Sequence, residues 1–337
     1  MILSITGTGA VTPAGWGVQA IMEMLASGTT APLSQLERTL NGTNISTPVR
    51  RVPVEGATTP KIARLRRTSS ISKFAAAAAM EALGETRLAA SAAGNLRVGV
   101  IFSVLNGCVN YSNRFFGEVL ADPAVASPIL FPETVFNAPS SHLSAMIGSS
   151  APNDTLIADG TGFFTAMDLA VEWLQRGDVD GCLIVASEEI DWLSAEGLRL
   201  YSTDYIPAEG AGAIYLEACE GTVRLLHLPD PVTFTKLSRA ASALAIRKTL
   251  AINHHENHLL VDGRVGISRH DLAETLAWED WLGARWSPRK VLGEASGASA
   301  SWQVIAAAEA IRHGPFSTAV VSAVGGNQQA AGCVIGR

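Results

Sequence analysis

Residues 155–189, TLIADGTGFFTAMDLAVEWLQRGDVDGCLIVASEE, constrain the fold more than any other stretch. A short apolar run ends in a Gly-bounded corner at Asp159, Gly160, Thr161 and Gly162. A long helical pattern follows, and then the apolar run GCLIVASEE (181–189). Uniform apolarity, in place of alternation, marks a strand covered on both faces, as in a parallel sheet with helices above and below. A sharp corner opening a helix ordinarily presents a reactive group, because free amides and the helix dipole favour negative charge there. This corner contains no obvious nucleophile.

The rest of the 337-residue chain repeats strand and helix signals. The first half reads as strand 2–7, helix 17–28, loop 29–68, a Ser-capped Ala-rich helix 69–84 stopped by Gly84, strand 97–103, helix 140–148 and strand 209–219. The second half reads as strand 222–228, helix 236–251, strand 258–263, helices 269–283 and 301–314, and strand 317–326. Two successive β/α halves of similar order imply an internal structural duplication, divided at 220/221. No linker of disordered composition separates 1–220 from 221–337, so they are expected to pack as one body.

Composition narrows the function. The chain is 47% hydrophobic and 17% charged, with a net charge of −6, which argues against nucleic-acid binding. The basic run KIARLRR (61–67) reads as a solvated loop face. The four cysteines, at 108, 182, 219 and 333, form no C-x-x-C pair, so neither a zinc knuckle nor a disulfide framework is implied. Cys182 and Cys219 fall in apolar strand patterns and read as core. The opening residues lack a signal-peptide pattern and no apolar run reaches membrane-spanning length, so a cytoplasmic protein is expected.

Several stretches in order resemble the β-ketoacyl synthase family. These are ITGTGAVTPAGWG (5–17), SPILFPETVFNAPSSHLSAMIGSSAPNDTL (127–156), LAVEWLQRGDVDGCLIVASEE (169–189), IPAEGAGAIYLE (206–217) and VVSAVGGNQQAAGCVI (320–335). The resemblance implies an α/β thiolase-like duplicated fold, a five-layer αβαβα arrangement with two mixed sheets, and no cofactor. Family members use a Cys at the helix N-terminus, with a lowered pKa, and two His that assist decarboxylative Claisen condensation.

Ungapped counting from 169–178 puts Gly160 at the Cys position; a one-residue slip would put Asp159 there. The turn VDGRVG (261–266) puts Asp262 at the first His position, and GEASGASA (293–300) puts Glu294 at the second. All three reactive side chains are replaced while the turns survive. This pattern resembles the chain-length factor, the inactive partner of a ketosynthase in type II polyketide assembly, although those subunits generally carry Gln at the Cys position. The short chain and bare nucleophile position resemble partner subunits of polyene or aryl-polyene pathways. The alternative is a divergent thiolase-fold acyltransferase or decarboxylase using Asp159, Asp262 or Glu294. A third reading is a stabiliser that keeps a ketosynthase soluble without measuring its product.

The same resemblance implies a heterodimer with a catalytic ketosynthase, or a dimer of such heterodimers, visited by acyl carrier protein through the complex. The strand Thr155, Leu156, Ile157, Ala158 and Asp159 would pair antiparallel with its counterpart, in an interface of roughly 2,000–5,000 Å². Cys108, Tyr111, Phe115, Phe136, Ala138 and Pro139 become candidates for the wall that limits the growing chain. Asp262 and Glu294 read as acids bonded to backbone amides or to basic groups such as Arg289 or Lys290. His142 reads as structural. The run HHENH (254–258) is one residue short of a zinc-protease motif and leads into a strand, so no metal is expected. Gly7–Gly15 lacks a dinucleotide fingerprint.

Overall fold

The computed structural model describes residues 1–54, 65–252 and 255–337. Elements of the first half are β1 (Ser4–Thr12), β2 (Gly15–Trp16), α1 (Val18–Ser27), β3 (Ser34–Leu40), β4 (Thr43–Val49), α2 (Ser70–Ala92), β5 (Val98–Val104), α3 (Val109–Ala121), α4 (Ala138–Ile147), β6 (Asn153–Ile157), α5 (Gly162–Arg176), β7 (Gly181–Glu188), α6 (Trp192–Arg199) and β8 (Gly210–Glu217). The second half holds β9 (Arg224–His227), β10 (Val232–Thr233), α7 (Arg239–Leu250), β11 (His258–Val261), α8 (Ser268–Ala277), β12 (Ala284–Trp286), α9 (Pro288–Leu292), α10 (Ser299–His313), β13 (Thr318–Val324) and β14 (Gln329–Gly336).

The strands lie in the order β6-β5-β7-β8-β1 and then β9-β14-β13-β11-β12. Ranked within its own half, each array reads third, second, fourth, fifth, first from its outer edge inward. The three outer strands of each array are parallel and the two inner strands antiparallel to their neighbours. The arrays join through β1 and β9, where Ser4 pairs with Arg224 and the amide of Leu225 donates to Leu3 O at 2.9 Å. The two mixed sheets are therefore one continuous ladder.

Helices α5 and α10 lie between the arrays, packed among Phe163, Phe164, Met167, Trp302 and Ile305, all essentially inaccessible. Helix α2 covers the outer face of the first array, and α7 and α8 cover that of the second, which gives five layers. The opening GTG carries the close approach of α2 to β1. A Cβ at Gly7 would fall 1.8 Å from Ala82 O, and one at Gly9 would fall 2.0 Å from Ala78 O. Small residues on both surfaces let backbone rest on backbone.

The sequence reading holds for most elements, but the helix read over 269–283 ends at Ala277, and three further corrections are needed. The stretch taken as loop, 29–68, contains the β3–β4 hairpin, which turns at Asn41 (φ 51°) and Gly42 (φ 78°). Asn-Gly with both residues at positive φ is the turn whose twist matches a two-residue hairpin. Gly84 interrupts α2 at φ 68°, ψ 167°, as a stop residue should, but a second helical segment follows at once, to Ala92. Cys219 lies past the end of β8 and is only half-buried, whereas Cys182 is fully buried in β7. Residues 61–64 of the basic run fall outside the described residues. Among those described, no helix is long and apolar enough to cross a membrane.

Candidate functional site

Gly160 is buried at the corner between β6 and α5. A Cβ built on it would meet Ser296 O at 3.3 Å, Arg289 Nη2 at 3.7 Å and Glu294 Oε1 at 3.9 Å. The corner thus faces a guanidinium and a carboxylate, and neither a thiol nor an imidazole is among those nearest atoms.

Arg289 comes from α9 and Glu294 from the turn just after it. Arg289 Nε donates to Glu294 Oε2 at 2.7 Å, Nη2 donates to the same oxygen, and Ser299 Oγ donates to Glu294 Oε1 at 3.0 Å. The two side chains are 6% and 5% exposed. Burial alone would lower the Arg289 guanidinium, but Glu294 outweighs it and the net shift is upward. Of the two bases named from the sequence, Arg289 is the partner; Lys290 points to a neighbouring cavity.

Asp262, just after β11, is fully buried and is not among the atoms nearest Gly160. Its Oδ1 accepts from Ser287 Oγ at 2.6 Å and from the Arg264 amide at 3.2 Å. Its Oδ2 accepts from Arg264 Nε at 2.8 Å and from Arg285 Nε. The structure therefore brings Gly160 and Glu294 together and leaves Asp262 one residue removed: a Cβ on its neighbour Gly263 would sit 3.0 Å from Arg289 Nη1 and 3.2 Å from Glu274 Oε2. Glu274 was not singled out from the sequence. Burial, and then repulsion by Asp262, hold its carboxyl well above the usual range.

Asp159 is no free carboxylate either. It accepts from the Thr161 amide at 3.1 Å, from Thr161 Oγ1 at 2.7 Å and from the Asn327 and Gln328 amides, each at 3.3 Å. It ties the start of α5 to the β13–β14 connection. Burial pushes all four thiols up, so no Cys is an activated nucleophile.

An acidic run ending β7 organises the surroundings, and sequence reasoning missed it. Glu188 accepts from the Leu105 amide at 2.5 Å, from the Asn106 amide at 3.2 Å, from Asn106 Nδ2 at 3.1 Å and from the Gly297 amide at 3.2 Å. It thereby joins the β5–α3 loop to the turn after Glu294. Glu189 accepts from Ser69 Oγ and from the Ile71 and Asn110 amides, which ties α2 to α3. The available signal was the string SEEID at a strand's C-terminal end, where buried acids can gather loop and helix amides.

Burial pushes the Glu188 carboxyl up to about 7, only partly offset by those donors. The folded state then holds a proton that the unfolded chain releases near pH 4.3, so this group's contribution falls as pH rises through that window. Relative to wild type, Glu188→Gln should therefore gain up to about 1.4 kcal/mol per pH unit between pH 5 and 7. Urea titrations at three pH values check this, and a difference independent of pH would refute it.

The proposed wall segments pack together. Cys108 and Ala138 share one buried cluster, and Pro139 is buried beside Ala138. Phe136 is 40% exposed, and a Cβ on Gly107 would lie 2.9 Å from its ring. Tyr111 donates its hydroxyl to Arg67 O at 2.8 Å, and the Phe115 and Phe131 rings lie 5.6 Å apart. β6 occupies the outer edge of the ladder. It ends at Ile157, so Ala158 and Asp159 lie beyond the strand, and Asp159 is buried in the corner. His142 bonds Glu133 at 2.8 Å. In HHENH, His254 lies outside the described residues and His258 begins β11, so helical spacing does not hold.

In structural comparison the chain is similar to the protein solved as the ishigamide ketosynthase/chain length factor (TM-score 0.84, 18% identity, 99% of each chain covered). It is similar to a chain of AntDE:AntF, described as a type II PKS acyl-carrier protein in complex with its ketosynthase bound to the hexaketide (0.80, 17%, 99% of each). It also resembles a β-ketoacyl synthase from Burkholderia phymatum STM815 (0.79, 16%, covering 100% of this chain and 99% of that one). These likenesses show the thiolase-like ketosynthase fold. No curated protein sequence matches the chain significantly. The description "Beta-ketoacyl synthase, N-terminal domain" matches residues 3–220, well over half of the chain, and so the chain belongs to the β-ketoacyl synthase family.

Proposed function

We propose that this chain is a noncatalytic chain-length factor. It heterodimerises with a catalytic β-ketoacyl-ACP synthase, meets acyl carrier protein through that complex, and shapes the tunnel that limits elongation of a polyketide of polyene type. The observation that carries the reading is the Arg289–Glu294 pair set against Gly160, where a thiol would have to stand. A glycine cannot form a thioester, and a carboxylate whose charge is paired with an adjacent guanidinium is a poor substitute for an imidazole base. Asp159 and Asp262, the other candidate acids, are each fully engaged with donors. The 1–220 and 221–337 halves act as one body in this role.

Incubation of the purified chain with acyl-loaded carrier protein should leave its intact mass unchanged. A covalent acyl adduct on this chain would overturn the reading and favour the divergent acyltransferase.

Tunnel measurement rests on Phe136 above all. Its ring is part-exposed and leans on Gly107, so Phe136→Ala should cost less than the roughly 3–5 kcal/mol of a fully buried Phe and leave the complex intact. Products of the reconstituted complex should shift to longer chains by mass spectrometry. An unchanged length distribution from an intact complex would remove Phe136 from the wall.

A further inference from the structure

Outside the Gly160 corner, one buried cation lacks a counter-ion. Arg50 is 8% exposed, and its Nη1 donates only to Lys290 O, at 3.3 Å. Its Nε is buried without a hydrogen-bond partner, and among the described residues no carboxylate pairs with it. The next residue, Arg51, takes Glu209 at 3.7 Å instead. Burial alone lowers the Arg50 guanidinium from its ordinary value, the mark of a charge whose environment does not repay desolvation. A buried charge without a counter-ion is unfavourable unless a ligand or partner neutralises it.

Arg50 lines a cavity of about 240 Å³, together with Lys290, Asp204, Tyr205 and the Arg289–Glu294 pair. The stems of both cations run alongside glycines of the cavity wall. A Cβ at Gly293 (φ 93°) would lie 3.4 Å from Arg50 Cδ, and one at Gly266 (φ 91°) would lie 3.4 Å from Lys290 Cγ and 3.9 Å from its Cε. The lining holds three cations, Arg50, Arg289 and Lys290, against two carboxylates, Asp204 and Glu294. Arg289 and Glu294 neutralise each other, and Asp204 accepts from Ser202 Oγ at 3.4 Å. One positive charge is left over in a space below the roughly 300–1,000 Å³ of drug-sized ligand pockets.

We propose that this cavity binds a small oxyanion, a carboxylate or a phosphate, with the Arg50 guanidinium as its anchor and the Lys290 ammonium as a second contact. The planar fork of Arg50 can donate two parallel bonds to such a group, and Lys290 adds a mobile point charge. The occupant would sit on the outer side of the Arg289–Glu294 pair, which separates it from Gly160. The inference rests on Arg50 and the cavity and does not depend on the chain-length reading.

Titration calorimetry of the full chain with inorganic phosphate, and separately with succinate, tests it, with ionic strength held constant by sodium chloride. Saturable binding by at least one of them is expected. Arg50→Gln should weaken it about tenfold or more, the equivalent of one charge-assisted hydrogen bond. Lys290 is exposed, so Lys290→Gln should fold normally whatever Arg50→Gln does, and should weaken binding about threefold or more. Failure of both anions to bind above the chloride background overturns the proposal, and so does unchanged affinity in Lys290→Gln. If Arg50→Gln folds and binds like wild type, the assignment of the anchor is wrong.

Discussion

Ile157→Pro is expected to abolish association with a catalytic ketosynthase while this chain stays folded. Pro152 O accepts from Val100, and the Ala158 amide donates to Val104 O, so even-numbered residues of β6 face β5. Thr155 and Ile157 therefore point their backbone groups out from the free edge. The Thr155 amide is covered only by the neighbouring Asp154 carboxylate, at 2.7 Å. Proline at 157 removes an outward donor and a 57%-exposed apolar side chain without breaking a bond to β5, a position where edge strands tolerate it. Co-purification followed by mass determination of the complex reads the result. A wild-type yield of heterodimer with Ile157→Pro would show that β6 is not the joining edge.

Arg289→Ala should be the most damaging single change to stability, at about 3–5 kcal/mol, because it strands the Glu294 carboxylate in a site 5% exposed. Ser299 Oγ would remain as a donor but supplies no charge. The pair as a whole contributes far less than either half suggests. Replacing both members, with Arg289→Met and Glu294→Leu, should recover most of the loss, since a buried ion pair and a packed apolar pair of like volume are often close in stability. Urea midpoints for the single and double variants decide this. A loss under about 1 kcal/mol for Arg289→Ala would mean that water reaches Glu294 and the pair is not sealed.

The βαβ unit around Gly160 was legible because its signals are local: a continuous apolar run, glycines at the corner and a regular helical period. The same holds for the repeated order of elements. The β3–β4 hairpin was legible in principle from Asn41-Gly42, but its strands bury only Thr47 and Val49, so they lack a clear apolar face. Helices α3 and α6 were missed for a related reason. Each places only one residue in the core, Val109 in α3 and Ala195 in α6, and each carries Gly with Ser or Asn inside it, which read as loop signals. The joining of the two arrays through β9 is a long-range pairing between residues 4 and 224, beyond any window of local pattern.

At the site, the replaced residues could be read from the surviving turns. What fills the corner could only be bracketed: Arg289 and Lys290 are adjacent in sequence, and which of them reaches Glu294 depends on the single turn of α9. Glu188 and Glu274 were not legible. Buried acids without an obvious basic neighbour in sequence look like surface residues until the amides that bind them are placed.

The two ends of the twelve-stranded ladder are unlike. β6 is five residues long and turns the backbone groups of Asn153, Thr155 and Ile157 outward, whereas β12 at the far end is only three residues long, and its central Arg285 is bonded inward to Asp262. One rim is open along its length and the other is short and tied inward. If β6 is the joining edge of the proposed heterodimer, the short β12 gives a further copy little to pair with, so association would stop at a closed pair and not run on into filaments.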